Sequence, residues 1–134
     1  MKRLLMTSCG AILVAGCATL TGPTIDAPKL LSAQQVTAAF SGNTVRSYNR
    51  SRKLNTYTYY DPDGSVLQER FWEVRKGRWH VKPDGQICLV FERTSCRFVG
   101  WAGDRLYKYR RTTNGELKAI IRYSDFTAGN YVGL

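Results

Sequence analysis

The chain has 134 residues, 43% of them hydrophobic, with 20 Lys and Arg against 10 Asp and Glu for a net charge of +10. That length carries one hydrophobic core and excludes a second domain. The positive excess points to anionic surfaces as partners, or to a protein that simply tolerates them.

Lys2 and Arg3 precede an apolar run from Leu4 to Val14. A spanning helix needs about 20 apolar residues, so this run reads as an export signal. It ends in Leu13-Val14-Ala15-Gly16-Cys17, which resembles the lipobox of bacterial lipoproteins. The resemblance implies loss of residues 1–16 as a signal peptide and lipidation of Cys17. Small residues suit the cut because the peptidase must bring the backbone close to its catalytic groups. An ordinary signal peptidase cutting after Ala18 would instead discard Cys17. Cys9 is a rival lipid site, but almost no apolar region precedes it. Ala18, in place of an Asp that marks inner-membrane retention, resembles outer-membrane sorting, and several acyl chains would make a lasting anchor. The expected location is the cell envelope, on the outer membrane facing the periplasm.

Cleavage removes Lys2 and Arg3 and leaves a mature chain of roughly 120 residues, enough for one domain. Residues 17–29, with Gly22, Pro23 and Pro28, fit a tether, and the domain is expected over 30–134. Ser32 and Gln35 match a capping box, and Val36, Ala39 and Phe40 share one face of a short helix stopped by Gly42. That helix should plug or cover a sheet edge; an interaction helix is the alternative.

From Asn43 onward, β-rich runs at 44–48, 55–60, 65–74, 78–82, 86–91, 96–101, 105–110 and 118–123 are predicted as strands. Pro62-Asp63-Gly64, Lys76-Gly77, Pro83-Asp84-Gly85, Gly103-Asp104 and Asn114-Gly115 punctuate them as turns. The expected fold is all-β with a minor α component: an antiparallel meander of about eight strands, curled into a small barrel or strongly bent sheet that hides its edges. Alternation makes Trp79 and Val81 core, with Arg78, His80 and Lys82 outside. Ile87, Leu89 and Phe91 share a face, yet Cys88 and Val90 opposite are apolar too. This strand is expected to be covered on both sides, with the helix as the candidate cover.

Cys88 and Cys96 remain as a pair after export into an oxidising compartment and are predicted to form a disulfide between neighbouring antiparallel strands. A metal or redox site is the competing reading, but no second ligand pair and no Cys-x-x-Cys accompanies them.

Phe40-Ser41-Gly42-Asn43-Thr44, Tyr59-Tyr60-Asp61-Pro62-Asp63-Gly64, Gly77-Arg78-Trp79-His80-Val81 and Asp84-Gly85-Gln86-Ile87-Cys88, followed by Cys96 and Gly129-Asn130, resemble a family of small secreted proteobacterial lipoproteins of unknown function. The resemblance covers the domain from about Leu30 to the end. Its motifs are turn and core signatures, so it implies a shared fold and transfers no catalytic residue. Members of that family carry fewer basic loop residues than this chain.

Catalytic chemistry finds little to work with. His80 is the lone histidine and has no linked Ser or Cys, while Asp61, Asp63 and Asp84 occupy turns that favour Asp for local backbone bonding. The reading is a non-enzymatic module without cofactor or metal, with a hydrolase as the distant rival. Three basic clusters stand out: Arg50, Arg52 and Lys53; Arg75, Lys76 and Arg78; Lys108, Arg110 and Arg111. Interleaved with Tyr and Trp they would suit nucleic acid, but export argues against that partner. Lipopolysaccharide, anionic lipid and cell-wall polymers are the polyanions left; solvated faces are the bland alternative. A lipocalin-like carrier of a small apolar ligand needs an open interior, which the large aromatics could fill. An inhibitor of an envelope-targeting enzyme such as lysozyme would be acidic, the opposite sign to this chain.

Overall fold

A computed structural model describes residues 27–133. The expected signal peptide and lipobox, Cys17 and most of the expected tether lie outside the described residues. Nine strands and one helix follow in chain order: β1 (Lys29–Leu30), α1 (Ala33–Phe40), β2 (Asn43–Asn49), β3 (Leu54–Tyr60), β4 (Ser65–Arg70), β5 (Glu73–Val81), β6 (Ile87–Val90), β7 (Thr94–Ala102), β8 (Arg105–Arg111) and β9 (Leu117–Ala128). No helix among them is long and apolar enough to cross a membrane.

Strands β2 to β9 each pair antiparallel with the next, and β9 pairs back onto β2 from Asn43↔Ala128 to Asn49↔Ile121. The result is a closed eight-stranded antiparallel barrel, the meander expected from the sequence with its edges removed. Because β6 is short, the second half of β7 lacks a partner on that side, and β1 fills the gap through Lys29↔Trp101 and Leu30↔Gly100. Lys29, read as tether, is thus already in the sheet.

Helix α1 forms where its capping box put it. The Ser32 hydroxyl accepts from the Gln35 amide at 3.2 Å, and Gln35 Oε1 accepts from the Ser32 amide at 2.9 Å. Gly42, at φ +78, supplies the left-handed residue that ends it. Val36 and Phe40 are buried in the lumen. The Phe40 ring meets Tyr60 and Tyr123 edge-on, each at 5.0 Å between centroids. The helix is therefore a plug in one end of the barrel and does not cover the outer face of β6. Above it pack Val45, Val66, Trp79, Ile87, Val99 and Leu106. Trp79 donates its indole N–H to the Asp61 carbonyl at 2.7 Å, while His80 faces out, as alternation required. Every residue of this core lies between Leu31 and Tyr123, so the domain from Ala27 contains its whole core.

Two strand assignments change. The run 65–74 is two strands, β4 and β5, joined by the two-residue turn Phe71-Trp72 with Phe71 at φ +57. Lys76-Gly77 lies inside β5 instead of forming a turn. Glycine is needed at 77 for close approach, because a Cβ there would collide with the Val90 carbonyl oxygen and the Phe91 ring. Strand β9 also runs on to Ala128, five residues past its expected end, because closing the barrel onto β2 requires it.

Candidate functional site: the cationic mouth of the barrel

An up-and-down barrel sorts its loops by parity. The loops after β3, β5 and β7 share the helix end, and those after β2, β4, β6 and β8 share the open end, here called the mouth. Asp61, Asp63, Asp84 and Asp104 all fall at the helix end. Three of them bond locally: Asp61 Oδ1 accepts from the Asp63 amide at 2.9 Å, Asp63 Oδ1 from the Ser65 amide at 2.7 Å and Asp84 Oδ1 from the Gln86 amide at 3.1 Å. The backbone N–H of Ser65 holds the Asp63 carboxyl below the usual range, and the Gln86 side chain does the same for Asp84. The mouth end instead carries Arg50, Arg52, Lys53, Arg70, Arg93 and Arg111, with Glu73, Glu92 and Glu116 as its acids.

Below the rim the barrel holds a cavity of about 530 Å³, inside the usual range for a small-molecule site. Its walls carry six cations, Arg52, Arg70, Arg75, Arg93, Arg97 and Lys108, against the single carboxylate of Glu92. Gln68, Thr56, Ser95 and Asn49 add polar groups; Leu54, Leu89, Phe91, Ile120 and Ile121 add an apolar surface. A bulge in β9 opposite Lys108 and Tyr109 leaves Ile120 unpaired and brings both isoleucines to the cavity.

The deeper cations are held in place. Arg75 donates Nε and Nη2 to Gln68 Oε1 at 2.9 and 2.6 Å, and Gln68 Nε2 donates to Thr58 Oγ1 at 3.1 Å. The guanidinium carbon sits 3.8 Å from the centroid of Phe91, so the group lies against that ring. Nη1 has no protein partner among the described residues. Arg97 donates Nη1 to the Cys96 carbonyl at 2.9 Å, while its buried Nε has no partner among the described residues.

Lys108 projects from β8 with its ammonium 5.9 Å from the Tyr123 ring centroid. Burial, assisted by the charge of Arg97, pushes its pKa down to about 8. Burial also lowers that of Arg75, with Arg70 acting in the same direction and Glu92 against it. Tyr123 is driven the other way by burial and keeps its proton; its hydroxyl is buried without a partner among the described residues.

Among the described residues the one ion pair is Arg46–Asp125 at 3.5 Å, and neither partner lines the cavity. Arg70, Arg75, Arg97 and Lys108 are thus half-buried cations with no carboxylate in ion-pair reach. A desolvated charge without a counter-charge is costly, and a bound anion supplies the missing partner. Glu92 alone brings a carboxylate to the cavity, so the paired carboxylates of a glycosidase do not meet there.

The three basic clusters of the sequence do not survive as patches: alternation splits the one on β5, the β2–β3 turn divides the first, and on β8 Lys108 lies within the barrel while Arg110 and Arg111 reach its exposed end. Arg52, Arg75 and Lys108 line the cavity. Arg50 turns outward, its Nη1 donating to the Ala119 carbonyl at 3.2 Å, and Lys53 is exposed in the loop at φ +54. Lys76 and Arg78 lie on the outer face of β5, with Arg78 donating to the Asp63 carbonyl at 3.3 Å. Arg110 and Arg111 are exposed, and Arg111 donates to the Gly115 carbonyl at 2.8 Å. Arg70, Arg93, Arg97, Gln68 and Glu92 were not among the expected site residues. The signal for one inward cation was present: the alternation that points Trp79 inward points Arg75 inward two steps earlier through Gly77.

Cys88 and Cys96 face each other across β6 and β7 and form the expected disulfide. His80 stands opposite Cys88 in the next strand, and the three potential ligand atoms lie within 4.8 Å of one another. With both sulfurs in the disulfide, that row offers a metal only the imidazole. No family model, curated protein or solved structure matches this chain.

Proposed function

We propose that this protein is a non-enzymatic binding module of the cell envelope that holds a small anionic amphiphile in the mouth of its barrel. The observation that carries the reading is the set of half-buried cations, Arg75, Arg97 and Lys108, that line a cavity with no carboxylate paired to them. An anionic head group would take the free donors of Arg75 and Lys108. The apolar remainder would lie on Leu54, Leu89, Phe91 and the two isoleucines. A barrel used this way is lipocalin-like in architecture. The lipobox before Cys17 supports a lipid-tethered form on the periplasmic face of the outer membrane, and the turn and core motifs support a place among small proteobacterial lipoproteins.

Calorimetric titration with dodecanoate and with the uncharged alcohol of the same chain length tests the head-group requirement. Dodecanoate should bind and the alcohol should bind about tenfold or more weakly, a difference of about 1.4 kcal/mol or greater. Replacing Arg75 and Lys108 together by Met should abolish the difference. Equal binding of acid and alcohol would favour a carrier of neutral apolar ligands, and binding of neither would reduce the mouth to a solvated basic surface.

A further inference from the structure

We infer that the β4–β5 hairpin tip, Phe71 and Trp72, inserts into a lipid surface and seats the barrel mouth on anionic head groups. Trp72 is 96% exposed and Phe71 58% exposed, at the apex of a two-residue turn between Arg70 and Glu73. Neither side chain lines the mouth cavity or the three smaller ones described on the barrel. The turn does not ask for them: Phe71 sits at φ +57, where glycine is at ease and a bulky residue is strained. An aromatic pair in that position adds strain and exposed apolar surface without contributing to the core.

Tryptophan at the tip of a projecting element is suited to the membrane–water interface, where an apolar ring and a polar N–H are both satisfied. The charge around it selects the surface. The tip belongs to the end that carries Arg50, Arg52, Lys53, Arg70, Arg93 and Arg111 against Glu73, Glu92 and Glu116, while the turns of the opposite end carry Asp61, Asp63, Asp84 and Asp104 against Lys82 and Arg105. That polarity orients the mouth toward anionic lipid and the helix end away from it. Two side chains on one hairpin are far short of the roughly 1,000 Å² a specific protein interface buries, whereas they suffice for shallow insertion assisted by surface charge. The docking uses rim and tip, not the lumen. It deepens the ligand reading, since an anionic amphiphile would enter the mouth directly from such a surface.

The domain from Ala27 is to be tested by flotation with vesicles of phosphatidylcholine alone and of phosphatidylcholine with phosphatidylglycerol. The parent should float with the mixed vesicles only, and raising salt from 0.1 M to 1 M, which shortens screening from about 10 Å to about 3 Å, should release it. The double variant Phe71→Gly with Trp72→Asn relieves the strained φ and should fold at least as well as the parent, yet partition about tenfold less. Brominated lipid should quench part of the parent's tryptophan fluorescence and leave the double variant's unchanged. Unchanged flotation of the double variant, or no flotation of the parent, would overturn the inference. Arg75→Met with Lys108→Met should still float. If it were released while the tip variant stayed bound, lipid would be held by the lumen and the docking inference would fall, whereas a parent that floats with the mixed vesicles but does not bind dodecanoate sinks the lumen reading alone.

Discussion

The two ends of the barrel interior are built from the same strands with opposite chemistry. On β5, Trp79 and Arg75 both point inward. The first is buried among Tyr60, Phe40 and Ile87, the second lies against Phe91 and Gln68 beside open space. On β8 the pair is Leu106 in the core and Lys108 in the cavity. A barrel of this size can fill its lumen with side chains, and the helix end does so. At the mouth the inward positions carry Arg and Lys, which contribute nothing to a core and lose hydration there. Stability alone would have placed aliphatic residues in those positions. The contrast separates a part of the molecule that holds the fold from a part that the fold holds ready.

The largest effect should come from breaking the filled end. Phe40→Ala removes the ring that meets Tyr60, Tyr123 and Phe126 and opens a cavity under the plug helix. Chemical denaturation should show a loss of about 3–5 kcal/mol. Next comes the wall between the ends, where Cys88→Ala with Cys96→Ala removes the crosslink of the short strand β6. The chain-entropy view gives a loss of about 2–3 kcal/mol for so short a loop. Mass spectrometry of the unreduced parent should show the two residues joined; free thiols at both would refute the pairing.

At the mouth the sign should reverse. Arg75→Met with Lys108→Met removes uncompensated charge from a half-buried site, and apolar replacement of buried charges is often neutral or stabilising by about 1–4 kcal/mol. Unfolding in the absence of ligand should therefore show stability equal to or above that of the parent, together with loss of dodecanoate binding. A large destabilisation would mean that these cations support the fold after all. The smallest effect is a pH dependence from Lys108. Its folded pKa, near 8, lies below the ordinary lysine value of about 10.4, so the unfolded chain binds the proton more tightly. The cost of burying the charge is fully present below pH 8 and is relieved between about 8 and 10.4. Stability of the parent should rise over that window relative to Lys108→Met, and anion affinity should fall.

Much of the fold was legible in residues with local work to do. Ser32 and Gln35 announced the helix, the Pro-Asp-Gly turns announced their hairpins, and alternation put Trp79 inside and His80 outside. The hairpin at Phe71-Trp72 was not legible, since a turn without Gly, Asn, Asp or Pro carries no local signal. Gly77 misled for the complementary reason: it answers a close approach by Val90 and Phe91 that exists only once β5 and β6 pair. The site was half legible. Basic residues were visible as runs along the chain, but strand faces and turn geometry divide them, so the candidate set is one member from each of three runs joined by Arg70, Arg93 and Arg97 from elsewhere. Only barrel closure brings those together.

The central claim, that the lumen cations form an anion site, is tested most directly by titrating the Lys108 side chain by nuclear magnetic resonance with and without dodecanoate. The free domain should show a pKa near 8, and bound anion should move it upward, because a negative head group favours the charged ammonium. A free value at the ordinary lysine position of about 10.4, or a depressed value that saturating dodecanoate leaves unmoved, would contradict the claim.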